Sequence, residues 1–122
     1  MQDHLWVEPV SGFIMARLRG TPTEAMLNEC EERVLMLVRD TGHAKVLYDA
    51  LEMTSPTVEV ALIQQKLIEK APDAAPIRRA IVVPNTRIAY LSRIAFGAGD
   101  HRVFYNDLAA AIKWLDSADP RA

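Results

Sequence analysis

The 122-residue chain has little cysteine, little glycine and no long apolar run. Each shortage removes a class of function. Its one cysteine, Cys30, leaves no internal disulfide and cannot hold a metal alone. The histidines, His4, His43 and His101, lack zinc-like spacing, so no metal site is expected. The five glycines form no Gly-x-Ser-x-Gly elbow, P-loop or dinucleotide-binding turn. Gly97-Ala98-Gly99 follows a helical segment rather than a strand and reads as a connector. No cofactor is expected, and no nucleophile–base pair can be named, so the chain is not expected to be an enzyme. The apolar stretch at residues 13–16 is too short for a signal core or a membrane span. A cytoplasmic protein without membrane insertion is the expectation. A basic excess is also missing. The net charge of −2 argues against a nucleic-acid partner.

What remains is globular. Half the residues are hydrophobic and a quarter are charged, and the length suits one domain spanning 1–122. The charge is unevenly spread. Residues 1–61 hold 5 basic and 10 acidic side chains, whereas residues 62–122 hold 9 and 6. Glu29, Glu31 and Glu32 supply much of the acid, and Arg78, Arg79, Arg87, Arg93 and Arg102 much of the base. Solvated faces are expected, with a polar contact surface for a partner or for self-association as the alternative. Edge strands beside such faces are compatible with a homodimer.

Apolar runs at 5–10 and 13–18, split by Ser11-Gly12, predict an antiparallel hairpin. Pro9 lacks an amide hydrogen and places the first strand at an edge. Thr21-Pro22-Thr23-Glu24 predicts a helix start with Thr21 as cap, and Leu27, Cys30, Val34, Leu37 and Val38 follow at helical spacing. Cys30 thereby reads as a buried structural thiol, and Gly42 ends the helix. Residues 45–49 form a short buried run, expected to be a central parallel strand that enters a polar loop at 49–56. Ser55-Pro56 predicts the opening of a second helix, with Val58, Ala61, Leu62, Gln65 and Ile68 in phase. A strand at 80–83 follows, then an Asn85-capped helix at 86–96. The last elements are an edge strand at 102–105 and an Asn106-capped helix whose Leu108, Ile112 and Leu115 share a face. Strands alternating with helices predict an α/β domain: a mostly parallel sheet, an N-terminal antiparallel hairpin and about four helices.

This order resembles the STAS domain, and more closely its SpoIIAA-like branch. The resemblance rests on the hairpin, on Val46-Leu47-Tyr48-Asp49-Ala50-Leu51-Glu52-Met53-Thr54, and on Val103-Phe104-Tyr105-Asn106-Asp107 followed by Ala110-Ala111-Ile112-Lys113-Trp114-Leu115. It implies a non-catalytic regulatory or protein-interaction module with an unidentified protein partner. In the family's anti-sigma-factor antagonists, a serine in Asp-Ser-Ser/Thr-Gly is phosphorylated. The same region here reads Met53-Thr54-Ser55-Pro56-Thr57-Val58-Glu59, without the Asp-Ser pair or the glycine.

Binding in open α/β sheets collects at the carboxyl ends of parallel strands. Glu52, Thr54, Ser55, Thr57 and Glu59 are therefore the candidate partner-binding residues, with Ser55 and Thr57 the candidate phosphoacceptors. Ser55 also reads as a helix cap. The alternative is a small-molecule protein that holds an anionic or lipid-like ligand near Asp49, Asn85, Arg87 and Tyr90. Arg87, in a first helical turn, favours a bound anion or an acidic partner there. Asp49 equally suits a structural role, accepting backbone amides of its own loop. Met26, Met36, Met53, Phe96 and Trp114 could line an apolar cavity, though such residues more often fill a core.

Overall fold

A computed structural model describes residues 4–54, 57–69, 77–95 and 100–117. Strands β1 (Leu5–Val10) and β2 (Phe13–Gly20) form the hairpin. They are followed by α1 (Glu24–Thr41), β3 (Lys45–Met53), α2 (Val58–Glu69), β4 (Arg78–Val83), α3 (Thr86–Ala95), β5 (His101–Tyr105) and α4 (Leu108–Asp116). The five strands form one sheet in the order β1-β2-β3-β4-β5. The β1–β2 pair is antiparallel and the other three pairs are parallel. Pro9 does lie on an edge strand, and β3 is central.

Side-chain alternation divides the core into two clusters. Val46, Tyr48, Ala50, Ile81 and Val83 face α1 and α3, meeting Leu27, Cys30, Val34, Ile88 and Ala89. Leu47, Ala80 and Val82 face the other way, onto Ala111 and Leu115 of α4. Strands β3 and β4 are thus covered on both sides, which explains their nearly continuous apolar sequences. Helix α2 packs mainly on its neighbours α1 and α3.

Four expectations need correction. Strand β3 does not end at Asp49 but continues to Met53, so Glu52 belongs to the strand. The reason lies in β2, which runs to Gly20 and offers paired backbone as far as Gly20 opposite Met53. The Thr54 amide then donates to the Gly20 carbonyl at 2.8 Å. The cap of α1 is Thr23, not Thr21; its hydroxyl accepts from the Met26 amide at 3.1 Å. The cap of α4 is Asp107, not Asn106. Asn106 takes positive φ (50°), and its amide donates to the Val83 carbonyl. It ends the parallel β4–β5 pairing and turns the chain before the helix begins.

The last correction concerns α2. It begins at Val58, and the Thr57 hydroxyl accepts from the Val60 amide at 3.2 Å, the bond of a cap. Ser55, expected to serve there, lies with Pro56 outside the described residues. Its buried face carries Ala61 and Gln64, while Val58 and Leu62 are exposed. Apolar residues occur all around this helix, so their spacing alone does not select a face; packing against α1 and α3 does. Gly42 ends α1 as expected, in the left-handed region with its amide on the Val38 carbonyl.

Candidate functional site

The parallel strands β2, β3, β4 and β5 bring their carboxyl ends to one edge of the molecule. From that edge the chain enters the N-termini of all four helices. Their first turns are held by Thr23, Thr57, Asn85 and Asp107, each accepting a bond from a backbone amide three residues on. Those amides point at the same rim and are already satisfied by side chains.

The expected partner-binding residues divide between strand and helix. Glu52 is exposed on β3 and pairs with Arg19 Nε at 2.6 Å. The Arg19 guanidinium also lies over the Trp6 ring, 5.0 Å from its centre. Thr54, Thr57 and Glu59 are exposed. Beside them, the outer side of α2 presents Val58 and Leu62 to solvent, four residues apart and so on one face. Ser55 lies outside the described residues.

The expected ligand residues do not converge. Asp49 is buried; one carboxylate oxygen accepts from the Leu51 amide at 3.1 Å, and the other pairs with Arg17 Nε at 3.2 Å. Its charge is used within the sheet. Asn85 is committed to the Ile88 amide. Arg87 and Tyr90 are exposed on α3, and Arg87 meets no acidic partner among the described residues. The methionines also scatter. Met26 packs on the first core cluster, Met36 is exposed, and Trp114 belongs to the α4 face. Phe96 lies outside the described residues. Among the described members of the set, Met53 alone lines an apolar cavity, a space of about 60 Å³ between α2 and the sheet.

A buried polar network was not anticipated. Glu31 and Arg79, expected on solvated faces, are 4% and 5% exposed. The Tyr48 hydroxyl donates to Glu31 Oε1 at 3.3 Å and accepts from Arg79 Nε at 3.2 Å. Arg79 Nη2 donates to Glu31 Oε2 at 3.0 Å. Burial, reinforced by Glu31, holds the Tyr48 hydroxyl well above its ordinary range. Burial and then Glu31 likewise push the neighbouring Cys30 thiol up to about 12. Cys30 therefore stays protonated and is no nucleophile. For Arg79, burial opposes the charge, but Tyr48 and Glu31 more than reverse that effect. The signal was in the sequence. Glu31 lies four residues after Leu27 and three before Val34, in phase with both, and Arg79 shares strand parity with Ile81 and Val83.

No family model matches the chain, and no curated protein matches it. Solved structures do. An uncharacterized protein of the DUF3478 family with a SpoIIAA-like fold, from Shewanella loihica PV-4, superposes with a TM-score of 0.59 at 19% identity, covering 91% of each chain. SpoIIAA itself, an anti-sigma factor antagonist solved in its unphosphorylated form, gives 0.62 at 10% identity, covering 93% of this chain and 99% of its own. The chain has the SpoIIAA-like fold. An anti-sigma factor antagonist from Mycobacterium paratuberculosis shares that fold, with a TM-score of 0.64 at 12% identity over 93% of each chain. Among the described residues, no helix is long and apolar enough to cross a membrane. Within the SpoIIAA-like fold, the loop and helix after the central strand are here β3's end and α2, the region that carries Glu52, Thr54, Thr57 and Glu59.

Proposed function

We propose that the chain is a non-catalytic regulatory module that binds another protein through the end of β3 and the outer face of α2. The observation that carries this reading is the composition of that face. Val58 and Leu62 stand side by side in solvent, next in the helix to the exposed Thr57 and Glu59. Apolar side chains within a polar rim are the make-up of a protein-binding patch. The likeness to two anti-sigma factor antagonists supports a regulatory role of the same type. Ser55 precedes Thr57 by two residues in the sequence. A phosphate on Thr57 would add an anion at the N-terminus of α2, where the helix tolerates it, and would change the charge of the patch without unfolding it.

The test is affinity capture of the whole chain from its native cell, followed by binding measurements with the captured protein. Leu62→Glu alters an exposed position and should change stability by no more than about 0.5 kcal/mol. It should weaken partner binding at least about tenfold. Glu59→Lys should weaken it too. A partner that binds both variants as tightly as it binds the parent chain would show that α2 is not the contact.

A further inference from the structure

We infer that the cavity between α2 and the sheet binds a small neutral molecule with an apolar body and one hydrogen-bond donor, in the class of a short-chain alcohol. Its walls are apolar, among them Ala61, Ile81, Leu91 and Met53. The exception that matters is Gln64. This residue of α2 lines the cavity and is 5% exposed, and its Oε1 has no hydrogen-bond partner among the described residues. A carbonyl oxygen buried without a donor is costly, and a leucine at this position would be cheaper. A donor arriving with an apolar body satisfies the oxygen and fills the space together.

Charge and size narrow the class. Among the described residues no charged side chain lines the cavity, so an anion or cation there would lose its hydration with nothing in return. The space of about 60 Å³ is well under the roughly 150 Å³ that accommodates benzene. It admits a few carbons, not a ring or a lipid tail. This ligand differs in charge, size and place from an anionic or lipid-like one beside Arg87. The inference does not depend on the protein-binding reading, because its test contains no partner.

The isotope-labelled whole chain is titrated with ethanol and, separately, with its isomer dimethyl ether, which has the same atoms and no donor; both are smaller than benzene. Amide resonances of Ala61, Gln64, Leu91 and Ser92 are followed. The expected result is saturable shifts at these positions, with ethanol binding about tenfold more tightly than the ether. Gln64→Leu should bring the two isomers to equal affinity, and Ala61→Leu should abolish binding of both. If either variant fails to fold, the comparison of isomers on the parent chain still decides. Equal affinity on the parent chain would overturn the inference. So would an absence of saturable shifts at the cavity, the result expected if Gln64 holds only a water molecule that ethanol cannot displace.

Discussion

At the residue scale, the buried Glu31–Tyr48–Arg79 network ties α1 to β3 and β4. Removing one member of a buried pair leaves an uncompensated charge, at a cost of about 3–5 kcal/mol. Arg79→Met should therefore be strongly destabilising in urea denaturation. The double variant Glu31→Leu with Arg79→Met should be markedly more stable than Arg79→Met alone, since no orphaned charge remains. A double variant as unstable as the single one would mean that the network matters for its shape rather than its charge. Cys30 gives a pH signature. Its thiol ionises near 9.0 when unfolded and near 12 when folded. Its contribution to stability is complete below pH 9 and is lost as pH rises from 9 towards 12, because only the unfolded chain gives up the proton in that window. Unfolding free energy should fall more steeply between pH 9 and 10.5 in the parent chain than in Cys30→Ala. Parallel slopes would contradict this account.

At the element scale, every described helix and strand was legible in the sequence in its order and type, because each apolar run was set off from the next by turn or capping residues. The starting points were less legible, and for a common reason. Thr21, Ser55 and Asn106 were the expected caps, while Thr23, Thr57 and Asp107 make the capping bonds. A chain leaving a strand must complete a turn before the helix can begin, and the same small polar residues serve both tasks. Asn106 shows this most clearly. It occupies a left-handed turn position that glycine also accepts, whereas Asp107 holds the Ala110 amide at 2.9 Å. Asn106→Gly should thus change stability by no more than about 0.5 kcal/mol, and Asp107→Ala should cost about 1 kcal/mol. Urea midpoints decide between the two assignments, and the reverse ranking would restore Asn106 as the cap. The length of β3 was hidden for a different reason. Asp49 and Glu52 look like loop residues until Arg17 and Arg19 are seen opposite them on β2. A single strand's sequence carries no sign of its neighbour's charges. The candidate site inherits that limit: its rim was readable from strand order, but the exposed Val58–Leu62 face was set by packing against α1 and α3.

At the scale of the whole molecule, one sheet supports two apolar clusters, with α1, α2 and α3 on one side and α4 alone on the other. A lone helix on a sheet face could be a separately unfolding unit. The packing argues against this. Leu47, Ala80 and Val82 contact α4, while their chain neighbours Val46, Tyr48, Ile81 and Val83 form the opposite cluster. Losing either cluster strips one face of β3 and β4, the two strands at the centre of both. Arg78 adds a further tie, its guanidinium 3.9 Å from the centre of the Trp114 ring. The chain should therefore unfold in one cooperative step. Ile88→Ala, in the first cluster, and Leu115→Ala, in the second, should each cost about 2–5 kcal/mol. Each should shift a single transition. Tryptophan fluorescence, to which Trp114 on α4 contributes, should trace the same curve as far-ultraviolet circular dichroism in both variants. If fluorescence in Leu115→Ala changed at lower urea than the circular dichroism, α4 would be a detachable element. The sheet would then rest on the three-helix face alone.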